Sequence, residues 1–73
     1  MKRFALKTVN KAIANHVGNE YCHLYKGDGY FYFVYDNPVT DVYRDYSVMV
    51  YHLNDLTIKS WVGFADDIVN ERI

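Results

Sequence analysis

The sequence predicts an α+β domain in the order helix, strand, strand, strand, helix. Three observations carry that prediction. Apolar side chains recur at helical spacing near both ends, residues 21–26 and 30–35 alternate as strands do, and Gly27-Asp28-Gly29 joins those two runs as a tight turn. A three-stranded antiparallel sheet must bury one face, and both helices are expected to pack on that face.

The first helix is expected over Lys2–Val17. Ala5, Leu6, Val9, Ala12, Ile13, His16 and Val17 fall within an arc of about 140°. Arg3, Lys7 and Lys11 form a stripe on the other side, and Gly18 suits the left-handed residue that ends a helix. His16, inside the apolar arc, is expected to be partly buried and structural.

The first strand is Tyr21–Lys26, with Tyr21, His23 and Tyr25 on one face and Cys22 and Leu24 on the other. Asp-Gly is a strong hairpin signal, and Gly27 and Gly29 can both take positive φ. Tyr30–Tyr35 is an unbroken aromatic and β-branched run, the strongest strand of the chain. Asp36–Asp45, with Asn37-Pro38 and three acids, reads as a long loop and surface spacer. Ser47–Leu53 follows as the third strand, with Val48 and Val50 on one face and Met49 and Tyr51 on the other.

The last helix has the clearest start. Thr57 is a good N-cap, and Leu56 before it can staple onto Trp61. Ile58, Trp61, Val62, Phe64, Ala65, Ile68 and Val69 share an arc of roughly 160°. Asp66, Asp67 and Glu71 face water near the negative end of the helix dipole. The expected core joins Leu24, Phe31, Phe33, Val48 and Val50 to Leu6, Val9, Ile13, Trp61, Ala65 and Ile68. The other sheet face carries Tyr21, His23, Tyr25, Tyr30, Tyr32, Met49 and Tyr51.

Composition agrees. The chain has 73 residues, 51% hydrophobic and 23% charged, which suits one folded domain and excludes intrinsic disorder. Eight tyrosines stand beside four phenylalanines and one tryptophan, so the aromatic content is unusual for its tyrosine share. One cysteine permits no internal disulfide. The net charge of −1 hides an asymmetry. Residues 1–19 carry Lys2, Arg3, Lys7 and Lys11 and no acid, while all nine acids lie in residues 20–73. This balance does not suit bulk nucleic-acid binding. A free cysteine, the lack of a secretory pattern and the lack of an apolar run near 20 residues predict a cytoplasmic protein.

Catalytic constellations are missing. Cys22 and His23 are adjacent on a strand and point apart, so they cannot chelate a metal together. Cys22 faces the core, where a thiol behaves as a small inert hydrophobe. Ser47 and Ser60 have no nucleophile-elbow context. Gly27-Asp28-Gly29 leads into a strand rather than a helix, so it is no phosphate cradle. No enzyme activity, cofactor or metal is expected.

Lys26-Gly27-Asp28-Gly29-Tyr30-Phe31-Tyr32-Phe33, then Ser47-Val48-Met49-Val50-Tyr51-His52-Leu53-Asn54-Asp55-Leu56-Thr57, then Trp61 form a layout that resembles small uncharacterised proteins of bacteriophages, prophages and other mobile elements. The resemblance covers residues 20–65. It implies the same turn, strands and helix and a bacterial or phage origin, hence a bacterial host cytoplasm. It implies no activity.

The expected function is that of a small non-enzymatic accessory protein acting by protein–protein contact, with modulation of a host factor as one form of it. Tyr21, His23, Tyr25, Tyr30, Tyr32 and Tyr51 are the expected contact residues, because tyrosine offers wide contact area with few rotors. A homodimer is expected to cover this face, or to pair the strand Tyr21–Lys26 across a two-fold axis. The alternative is a nucleic-acid-binding accessory protein that uses Arg3, Lys7 and Lys11 with the tyrosine face. Lys26-Gly27 before an aromatic strand is similar to one strand of an RNA-recognition motif, but Asp28 breaks the pattern and the chain is too short for that fold.

Overall fold

The computed structural model describes residues 3–71. Helix α1 (Leu6–Val17) leads into strands β1 (Cys22–Lys26), β2 (Phe31–Asn37) and β3 (Val42–Val48). A single 3-10 turn (Leu53–Asp55) precedes helix α2 (Ile58–Val69). The sheet is antiparallel in the order β1-β2-β3. The fold is therefore the expected helix, three strands and helix. No described helix is long and apolar enough to cross a membrane.

The helix ends follow local chemistry. Gly18 takes φ 87° and donates its N–H to the Ala14 carbonyl, closing α1. The Thr57 hydroxyl accepts the Ser60 N–H at 3.1 Å, opening α2. The start of α1 is shorter than the sequence pattern predicts, and Lys2 lies outside the described residues. The Asn54 side chain pairs with both backbone groups of Phe4, at 3.1 Å each, and holds that residue short of the helix.

Register sets one inner face. Cys22 pairs with Tyr35 and Leu24 with Phe33, while Phe31 pairs with Val48. These six side chains are buried with Val9 and Ile13 of α1 and Trp61, Ala65 and Ile68 of α2. Both helices cover this face: α1 lies against α2 and β1, and α2 reaches β2 and β3. Leu6 and Val50, expected in the core, sit half-buried at its margin. Trp61 is fully buried, edge-on to Phe31 at 5.4 Å, and donates its indole N–H to the Leu53 carbonyl at 2.9 Å.

The segment 36–53 differs from the sequence expectation. Residues 36–45 are not a long loop. β2 continues to Asn37, whose side-chain oxygen accepts the N–H groups of Val39 and Thr40. That Asx turn and the left-handed Asp41 (φ 55°) reverse the chain over Pro38–Asp41 alone. β3 therefore begins at Val42, and it ends at Val48 opposite Phe31, the first residue of β2. Beyond that point no neighbouring strand remains to pair with. The Val50 N–H instead turns back to the Val48 carbonyl at 2.9 Å.

The acids of α2 are also differently placed. His16 is exposed, not buried, and bonds Asp66 at 3.1 Å, tying the end of α1 to α2. Arg44 donates to the Ile68 and Val69 carbonyls at 2.9 and 3.2 Å and pairs with Glu71 at 2.7 Å. A cation thus sits at the negative end of the α2 dipole and offsets the acids there.

Candidate interaction surface

The sheet face that no helix covers is built by register. The residues that alternate with the core positions are His23 and Tyr25 of β1, Tyr32, Val34 and Asp36 of β2, and Tyr43, Asp45 and Ser47 of β3. Cross-strand pairing sets Tyr25 opposite Tyr32, and their rings stack at 5.4 Å. His23 lies 6.1 Å from Tyr25 on one side. Tyr30 lies 6.0 Å from Tyr32 on the other. Four rings thus form one contiguous row, His23, Tyr25, Tyr32, Tyr30, fixed by the ladder beneath them.

Gly27 supports the end of this row. Its N–H donates to the Tyr30 carbonyl at 2.8 Å, and the Tyr30 ring folds over it. A β-carbon at residue 27 would lie 2.5 Å from that ring. Close approach is thus what residue 27 requires, and only Gly29 of the pair takes a positive φ.

Four of the six residues expected for the surface are brought together, and two are not. Tyr21 precedes β1 and packs half-buried against the core cluster. Tyr51 stands outside the sheet, 72% exposed, beside Gly29 and the Arg3, Phe4 and Lys26 side chains. Met49 is likewise outside it. Both were displaced by the shift of β3 towards the N-terminus. Tyr43, Asp45 and Ser47 take the vacated places and share a shallow depression with Tyr30, Tyr32 and Val34. The alternation of Val42, Arg44, Tyr46 and Val48 with Tyr43, Asp45 and Ser47 is the signal that finds them.

Charge divides the margins of the face. Asp36 and Asp45 lie on its β2–β3 side. On the β1 side His23 opens into a groove against α1, lined also by Lys7, Lys11 and Asn10, with one acid, Glu20, among them. Arg3 is not part of that groove and lines the depression beside Tyr51.

The one cysteine does not reach this face. Cys22 is on the opposite, buried face, and burial pushes its thiol up to about 11, so it stays protonated and unreactive at neutral pH. Among the described residues no three His, Cys, Asp or Glu side chains gather where they could hold a metal ion. No protein-family model, curated protein or solved structure matches the chain.

Proposed function

We propose that this chain is a small non-enzymatic accessory protein of phage or prophage type that works in the bacterial cytoplasm by binding another protein through its open sheet face. The observation that carries the reading is the row His23, Tyr25, Tyr32, Tyr30 in mutual ring contact on a face without helices. Rings held in place by a β-ladder lose little freedom on binding, and tyrosine is enriched where interface energy concentrates. The test is capture from bacterial lysate by wild type and by the Tyr25→Ser/Tyr32→Ser variant, matched for circular dichroism. Wild type is expected to retain a defined protein that the variant releases. Equal recovery by both, or background alone with wild type, counts against the reading.

One observation favours nucleic acid as a second reading: Lys7, Lys11 and His23, two lysines against the single acid Glu20, share a groove that ends at the ring row. Cations beside stacking rings are what a single strand requires. Anisotropy titrations with single-stranded DNA and RNA separate the two. Binding that weakens steeply with salt and is lost in Lys7→Ala/Lys11→Ala supports this reading, and no binding at low salt removes it.

A further inference from the structure

The two edges of the sheet are treated differently. The Asp36 N–H donates to the Tyr21 carbonyl and the Gly27 N–H to the Tyr30 carbonyl, which fixes the phase of the β1–β2 ladder. Backbone groups of Cys22, Leu24 and Lys26 therefore point out of the sheet. The same phase carried across β2 turns Val42, Arg44, Tyr46 and Val48 towards β2. It turns Tyr43, Asp45 and Ser47 outward.

At the β1 edge, α1 lies alongside, and Asn10 binds both backbone groups of Leu24. At the β3 edge nothing comparable exists among the described residues: no hydrogen bond reaches the backbone of Tyr43, Asp45 or Ser47. Of the usual guards of a free edge β3 carries one exposed charge, Asp45. It holds no proline and no lysine, and its one cation, Arg44, is spent on the end of α2. Instead Tyr43 and Tyr46 stand exposed along it, at 62% and 36%.

We infer that the β3 edge pairs antiparallel with β3 of a second copy, about a two-fold axis beside Tyr46. Charge selects that register. Outward-pointing residues must meet one another, so the axis falls at Tyr43, Arg44, Asp45, Tyr46 or Ser47. At Asp45 two carboxylates oppose each other, and at Arg44 two guanidiniums do. An axis at Tyr43 or Ser47 shortens the ladder. With the axis at Tyr46, Asp45 meets the partner subunit's Ser47 and exchanges both N–H···O bonds with it, so that residues 44–48 of each copy form the ladder. Tyr46, already stacked on Phe64 at 6.1 Å, meets Tyr46 of the partner subunit on the helix side. A two-fold axis perpendicular to the sheet keeps both open faces on one side, so the dimer presents two ring rows together. The inference rests on the edge and stands whether or not the face binds a protein.

Sedimentation equilibrium tests it. Wild type is expected to dimerise with concentration, and Ser47→Pro, which removes an outward N–H at an edge where proline is tolerated, to remain monomeric with an unchanged circular dichroism spectrum. Ser47→Asp, a side-chain change on the exposed strand, covers the case in which the proline variant fails to fold. It sets a second carboxylate opposite Asp45 and is expected to weaken the dimer about tenfold, whereas Ser47→Lys tightens it. Amide exchange at Asp45 and Ser47 should slow as concentration rises. A wild type that stays monomeric at millimolar concentration overturns the inference, as does a folded Ser47→Pro or Ser47→Asp that dimerises like wild type.

Discussion

Asn10 binds Leu24 at both backbone groups: its side-chain oxygen accepts the Leu24 N–H at 2.7 Å, and its side-chain NH2 donates to the Leu24 carbonyl at 3.0 Å. A helix side chain here does what a neighbouring strand would do. Asn54 repeats the device on Phe4. Asparagine suits both places because one planar group carries a donor and an acceptor at peptide spacing. The consequence at β1 is an edge already satisfied inside the fold, so the homodimer expected through Tyr21–Lys26 would have to displace Asn10.

Asn10→Ala should therefore destabilise the domain by about 1–3 kcal/mol, the cost of leaving buried backbone groups unpaired. For a domain of this size that lowers the melting temperature by roughly 4–8 °C per kcal/mol. Calorimetry checks it. A melting temperature within a degree of wild type would show that solvent replaces Asn10 freely.

Trp61 allows a graded test. It has no exposed surface and its indole N–H satisfies the Leu53 carbonyl. Trp61→Ala should cost about 3–5 kcal/mol. That approaches the whole stability of a small domain, at ~0.05–0.15 kcal/mol per residue. Trp61→Phe keeps most of the packing but leaves the carbonyl unpaired, and should cost about 1–3 kcal/mol. Urea unfolding separates the three proteins, and the order wild type, Phe, Ala is the expected outcome.

What the sequence made legible was local or periodic. Gly18, Thr57, the arc containing Trp61 and the alternation of β1 and β2 all act within one element, and each is found as expected. β3 was masked by its own chemistry. Its open-face residues Asp45 and Ser47 are polar, Arg44 on the inner side serves a helix end, and Pro38 with Asp41 marks the turn just before it. A half-exposed strand so composed has the look of a loop. That one misplacement moved Tyr51 and Met49 onto a face they do not occupy and hid Tyr43. The long-range pairs Asn10 with Leu24, His16 with Asp66 and Arg44 with Glu71 depend on how elements dock, which no local pattern encodes.

Arg44 and Glu71 form a pair whose partners contribute unequally. Glu71 is 73% exposed on its side chain, and an exposed ion pair is worth at most about 1 kcal/mol. Arg44 also satisfies two terminal carbonyls of α2 and lies over the Tyr35 ring at 5.7 Å. Glu71→Gln should change stability by less than about 0.5 kcal/mol. Arg44→Gln should cost about 1.5–3 kcal/mol. Equal effects in thermal unfolding would place the energy in the ion pair instead.

Cys22 gives a pH dependence of known sign. Burial raises its thiol from 9.0 to about 11, so the folded state keeps the proton that the unfolded chain gives up first. Stability from this group is complete below pH 9 and is lost as pH rises towards 11. Cys22→Ala removes that slope, so wild type should lose stability more steeply than the variant between pH 9 and 11. In the native protein a thiol reagent at pH 8 should react only at the rate of opening. Parallel pH profiles, or fast labelling, would place the thiol at the surface.

Gly27 and Tyr30 are coupled through space, and the coupling predicts a non-additive pair. A β-carbon at residue 27 would stand 2.5–2.8 Å from three atoms of the Tyr30 ring, closer than real contacts allow. The backbone at Gly27 has no positive φ, so strain from that source does not arise. Gly27→Ala should then act almost wholly by evicting the ring, at a cost of about 1–2 kcal/mol. In a Tyr30→Ala background the same change should be nearly neutral or slightly stabilising, because alanine narrows the unfolded ensemble. The double-mutant cycle measures the difference, expected at about 1 kcal/mol or more. Since Tyr30 ends the ring row, Gly27→Ala should also loosen the stack, and aromatic shifts of Tyr32 should move in its NMR spectrum. An additive cycle with unmoved Tyr32 resonances would mean that the Tyr30 ring does not rest on Gly27 in solution, and the row would then end at Tyr32.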